Sequence, residues 1–105
     1  MYEDSKTCPV EITWLLINNN WKIRIIVSLL NGTRRFNEIR RILEDISQKV
    51  LTQNLREMEK DGLVNRKVYP EIPLKVEYSL TKLGYSLKPI LDEMVEWGIK
   101  YEKNL

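Results

Sequence analysis

The chain has 105 residues, 43% hydrophobic and 30% charged, with 17 Lys or Arg against 15 Asp or Glu, one cysteine and no histidine. That size fits one domain with a single core, the apolar share excludes a disordered chain, and no apolar run approaches the ~20 residues of a bilayer span. The lone cysteine excludes an internal disulfide framework, and without histidine or a second cysteine no metal site, cofactor or nucleophile–base pair is expected, so the chain does not read as an enzyme.

The first residues, MYEDSKTCPVE, are polar and acidic before any apolar segment, unlike a secretory leader, and the expected location is the cytoplasm. Pro9 suits a first helical turn, and Val10, Trp14 and Ile17 then share one stripe of a helix over about 9–17. Asn18, Asn19 and Asn20 break it, because Asn competes for its own backbone and tolerates left-handed geometry. A second helix runs from Trp21 to Leu30 with Trp21, Ile25 and Leu29 aligned, and Gly32 follows its end. A short third helix covers Asn37 to about Leu43 and turns Phe36, Ile39, Ile42 and Leu43 inward. After the turn EDIS, a fourth helix spans 47–61, starting at Ser47 and closed by Gly62. Two helices joined by about three residues have helix-turn-helix spacing.

Next, Val64, Arg66 and Val68 alternate with Asn65, Lys67 and Tyr69, and Val76, Tyr78 and Leu80 alternate with Lys75, Glu77 and Ser79. Period-two alternation on both sides of PEIP predicts a β-hairpin over 64–80, its tip stiffened by Pro70 and Pro73. A last helix is expected over about 81–103, capped by Thr81, with a kink or break at Pro89. The fold class is therefore mainly α with a small β-hairpin: one winged helix-turn-helix domain over 1–105 with extra helices at both ends.

Charge is unevenly distributed. Residues 1–21 carry a net −2, residues 22–68 a net +5 from eleven Lys/Arg and six acids, residues 69–80 a net −1, and residues 81–105 none. A local basic excess is the footprint expected of a phosphate-binding surface. The fourth helix sits inside it. At ~100° per residue Leu51, Leu55 and Met58 share an inward sector, while Gln48, Lys49, Thr52, Gln53 and Arg56 turn outward with no acid among them. Gln, Arg, Lys and Thr are side chains that meet base edges or phosphates, and a recognition helix presents its first turns to the bases. Glu57, Glu59 and Asp61 come only later. Double-stranded DNA is thus the expected partner. Arg34 and Arg35 are candidate phosphate contacts, and Lys67 and Lys75 candidate wing contacts; Arg40 and Arg41 read equally well as solvated, and Tyr69 and Tyr78 as packing residues. The competing function is a winged-helix module that binds a protein and not DNA.

The segments CPVE, WK, RRFNEIRRIL, ISQKVLTQNLREMEKDGLV, VYPEIPLKVEYSLT and a late WG together resemble the HxlR family of winged-helix transcriptional regulators, from Cys8 to about Gly98. The resemblance implies a homodimer on a pseudo-palindromic operator, with the helix from Ser47 in the major groove and the hairpin around Pro70 to Lys75 as the wing. It also implies dimerisation through the two terminal helices. Their apolar stripes point the same way independently, with Trp14, Ile17, Leu91, Met94, Trp97 and Tyr101 as interface candidates. One departure is visible: relatives often carry glycine where this chain has Asn before Trp21 and Lys22. Some relatives use a cysteine matching Cys8 to sense oxidants, and a helix start favours the reactive thiolate, so Cys8 is a candidate thiol sensor; as a small buried residue it would be merely structural. Nothing in the sequence names an effector, and no membrane partner is expected.

Overall fold

The computed structural model describes residues 8–104. The chain runs α1 (Pro9–Ile17), α2 (Asn20–Leu29), β1 (Arg34–Arg35), α3 (Phe36–Leu43), α4 (Gln48–Lys60), β2 (Val64–Tyr69), β3 (Lys75–Leu80), α5 (Lys82–Tyr85) and α6 (Lys88–Lys103). The architecture is mainly helical with one antiparallel sheet of order β1-β3-β2, a winged helix-turn-helix.

Each start and stop has a local cause. Asn19 caps α2, its Oδ1 accepting from the Lys22 amide at 2.8 Å. Ser47 caps α4 the same way, accepting from the Val50 amide at 3.1 Å. α4 ends in a Schellman motif: the Leu63 amide donates to the Met58 carbonyl and the Gly62 amide to that of Glu59, with Gly62 at φ 81°. Between α3 and α4, Glu44 sits at φ 62° and the Asp45 amide donates to the Leu43 carbonyl, which makes a γ-turn. Two arginines hold this turn: Arg24 Nη2 donates to the Leu43 carbonyl at 2.9 Å and Arg40 Nε to that of Ile46 at 3.3 Å. Arg40 is thus a brace as well as a solvated charge.

Two features differ from the sequence-based expectation, and a third decides between a kink and a break at Pro89. The sheet has a third strand, because Arg34 and Arg35 pair with Tyr78 and Glu77. The C-terminal helix is two helices. Pro89 lies in the first turn of α6 and not inside a longer helix; it has no N–H to give to the Tyr85 carbonyl and its ring crowds that carbonyl, so α5 stops and α6 starts afresh. Finally, Ile17 and Leu91 are only 3% and 4% exposed. They complete the core of the single chain, which corrects their assignment to a surface shared with a second copy.

The core brings Ile25, Ile26 and Leu29 of α2 against Ile39 and Leu43 of α3 and Leu51, Leu55 and Met58 of α4. Leu63, Val64 and Leu80 close it from the sheet side. The hairpin register pairs Val64 with Leu80, Arg66 with Tyr78 and Val68 with Val76, so these six side chains share one face. The corner is tight at Gly84, where a Cβ would run into the Leu63 carbonyl. Thr81 fixes it: its Oγ1 donates to the Gly62 carbonyl at 2.6 Å and accepts from the Gly84 amide at 3.0 Å.

Candidate nucleic-acid interface

With Leu51, Leu55 and Met58 fully buried, the rotation of α4 about its axis is set. Gln48, Lys49, Gln53 and Arg56 are exposed and Thr52 is half-buried; together with Glu57 they line one shallow groove along the helix. The side chains grouped by periodicity are therefore grouped in space. Thr52 Oγ1 donates to the Gln48 carbonyl at 2.8 Å, so its hydroxyl proton is committed and it presents lone pairs and a methyl group outward. That set accepts from a base amine or packs against a thymine methyl.

Two cross-helix polar links hold α4 on α2. Asn54, buried on α4, donates to the Val50 carbonyl at 2.8 Å and accepts from Asn19 Nδ2 at 3.1 Å. Lys22, its side chain 7% exposed, pairs with Glu57 at 2.8 Å. The hydrogen bond and charge of Lys22 hold the Glu57 carboxyl below the usual carboxylate range, against a smaller opposing effect of burial and with further help from Gln53. This answers what one acid does at the edge of the outward face: it neutralises a buried lysine. The triple Asn does more than break a helix, since Asn19 both caps α2 and anchors α4.

Across from α4, β2 and β3 supply a second wall. Thr52, Leu55, Arg56 and Glu59 of α4 face Arg66 and Tyr78 across a cleft of about 280 Å³. Arg66 Nε donates to Glu59 Oε2 at 3.3 Å. Burial raises the Tyr78 hydroxyl above its ordinary range, while Arg66 and Arg56 pull it down and Glu59 pushes it up. Sequence reasoning missed Arg66 as a site residue. Its alternation with Lys67 marked which strand face it joins, but only the register places it opposite Tyr78.

The other wing residues lie on the opposite sheet face. Lys67 and Lys75 both sit over the Tyr69 ring, with their Nζ atoms 4.9 Å and 4.6 Å from its centroid, and Lys75 is 3.8 Å from Glu77. Tyr69 thus gathers two cations near the hairpin tip, a packing role, and one that concentrates charge. Arg34 and Arg35 are not brought to α4. Arg34 Nε donates to the Ser28 carbonyl at 2.6 Å, and the side chain lines a separate groove with Arg24, Asn31 and Ile42. Arg35 is exposed, and its backbone amide donates to Glu38.

On α1 and α6, Trp14, Met94, Trp97 and Tyr101 are exposed, and Trp97 stacks on Tyr101 with ring centroids 5.3 Å apart. Cys8 is a half-buried free thiol at the N-cap of α1. Among the described residues no helix is long and apolar enough to cross a membrane, and no group of His, Cys, Asp and Glu could hold a metal ion.

Residues 16–105 match the HxlR-like helix-turn-helix family. The chain is 44% identical over 103 residues to the uncharacterized HTH-type transcriptional regulator YdeP of Bacillus subtilis strain 168, covering 98% of this chain and 80% of that one. Its fold is similar to that of the redox regulator HypR in its oxidized form, at 49% identity and TM-score 0.83 over 89% of this chain and 96% of HypR. The reduced form of HypR superposes with TM-score 0.85 at 48% identity, over 90% of this chain and 93% of that one.

Proposed function

The chain belongs to the HxlR-like helix-turn-helix family, whose relatives are transcriptional regulators and not enzymes, and from that premise we propose that it acts in the cytoplasm as a homodimer on a pseudo-palindromic DNA operator. In this reading α4 enters the major groove and the β2–β3 hairpin lies beside it. The observation that carries it is the outward face of α4: Gln48, Lys49, Thr52, Gln53 and Arg56 project together from the first half of a helix whose Glu57 is already paired with Lys22. Lys67 and Lys75 at the wing supply sequence-independent attraction for phosphate, as does the exposed Arg35.

Dimerisation is supported by α6. Of its 16 residues only Leu91 is buried, while Trp97 is 68% exposed and Trp14 on α1 is 55% exposed. Burying such aromatic area against a second copy is the ordinary remedy, and a two-fold dimer matches a two-fold operator. Selecting bound duplexes from a random pool with the purified protein tests both halves of the reading. Two inverted half-sites about one helical turn apart are expected; a single unpaired site, or no enrichment at low salt, contradicts it.

Control by Cys8 is part of the same proposal. The thiol is half-exposed beside the helix proposed as an interface, and the similar protein HypR is a redox regulator. A peroxide would take the thiolate to sulfenic acid with loss of hydroxide, and a second thiol would then condense with it to a disulfide, releasing water. Oxidant-dependent release of DNA should vanish in Cys8→Ser; release that persists in that variant eliminates the thiol.

A further inference from the structure

We propose that the cleft between α4 and the wing is a two-arginine seat for one DNA backbone phosphate, with Glu59 as the carboxylate that occupies Arg66 until the phosphate arrives. The inference rests on the DNA-binding reading above and assigns a role within it. Thr52, Arg56 and Glu59 follow one another at spacings of four and three, so they lie on one flank of α4. Arg66 and Tyr78 are directly opposite each other in the sheet and look back at that flank. The cleft they enclose is lined by Thr52, Arg56, Glu59, Arg66 and Tyr78, a set whose hydrogen-bond donors suit the oxygens of a phosphate. It carries two guanidinium groups against one carboxylate, so its net charge is positive.

The existing ion pair is weak. Arg66 and Glu59 are 3.3 Å apart through a single Nε contact, and their side chains are 48% and 39% exposed. Exposed pairs of this kind contribute little to stability, so exchanging a carboxylate oxygen for a phosphate oxygen costs little. Arginine's planar fork also suits phosphate, and among the described residues the rest of the Arg66 guanidinium and all of Arg56 remain available for it. Arg56, Glu59 and Arg66 line the cleft together beside the Tyr78 hydroxyl. Arg56 then holds a phosphate while Gln48, Lys49, Thr52 and Gln53 face the base edges. The seat joins helix and wing through a single strand of DNA, and so fixes the depth at which α4 enters the groove.

The test is a salt titration of duplex affinity, on the selected operator and on random duplex, for the wild type, Arg66→Ala, Arg66→Lys, Glu59→Gln and the Glu59→Gln/Arg66→Ala double variant. Thermal melts accompany it to establish that each variant is folded. Arg66→Ala removes one phosphate contact from each protomer, so it should weaken both duplexes alike and reduce the dimer's log–log salt slope by about 1.8, which shrinks the loss of affinity between about 50 and 200 mM salt roughly 12-fold. Arg66→Lys should keep the slope. Glu59→Gln should tighten binding to both duplexes, and that gain should disappear in the double variant. An unchanged slope in folded Arg66→Ala, or a Glu59→Gln gain that survives loss of Arg66, overturns the seat. Failure of the underlying reading looks different: the wild type itself would then show no salt-dependent binding.

Discussion

Asn54 and Glu57 belong to α4 yet turn their polar groups toward α2, and this decides which of its residues are left for the outward face proposed to meet DNA. Asn54 bridges Val50 and Asn19, and Glu57 meets the buried ammonium of Lys22. Both links cross between elements far apart in the chain, so helical periodicity could not reveal them. What it did reveal was the sector of Leu51, Leu55 and Met58, because burial of three aligned apolar residues leaves only one rotation of α4 available. The Lys22–Glu57 pair has a pH signature. Its folded-state carboxyl is held below the unfolded value, so the pair's contribution is fully present above the ordinary carboxylate range and is lost as pH falls through the lowered value. Glu57→Gln should therefore lower the melting temperature by a few degrees at neutral pH, with the gap to wild type closing below about pH 4. Thermal melts across that range measure it, and a gap that persists undiminished at pH 3 would contradict the pairing.

Among the elements, the helix-turn-helix and hairpin were legible because each has a cap, an apolar period and a stop. β1 was not, since two residues are too short to show any period and their pairing is made by β3 alone. The break before α6 was half-legible: Pro89 signalled an interruption, but the sequence pattern on both sides continued, and only the backbone distinguishes a kink from a new start. The corner from β3 into α5 offers a sharp test. Gly84 packs against the Leu63 carbonyl, and the same carbonyl accepts from the Thr81 amide at 3.0 Å. Gly84→Ala must displace backbone that is already hydrogen-bonded, and should cost about 1–3 kcal/mol of folding stability, read by denaturant unfolding. Because this corner sets the end of the wing, DNA affinity should fall with it. A variant as stable as wild type would mean the corner has room that its geometry denies.

The whole molecule measures 53 × 35 × 23 Å and carries two unlike surfaces. One is polar and basic, made by α4 and the wing; the other is aromatic and apolar, made by α1 and the outer part of α6. The sequence distinguished these surfaces by type but not their edges. Ile17 and Leu91 lie on the same stripes as Trp14 and Trp97, and only the packing of α1 and α6 onto the body shows that they are consumed within one chain. Likewise Arg34 carries the right charge, but its hydrogen bond to Ser28 and its separate groove set it apart from the α4 surface. The central claim is that the outward face of α4 reads DNA sequence. Its most direct measurement is the ratio of affinities for a selected operator and for random duplex, at fixed salt, in the wild type and in a Gln48→Ala/Gln53→Ala variant. Loss of about 1–3 kcal/mol of discrimination, with affinity for random duplex retained, is the expected result. Unchanged discrimination in the folded double variant would contradict it.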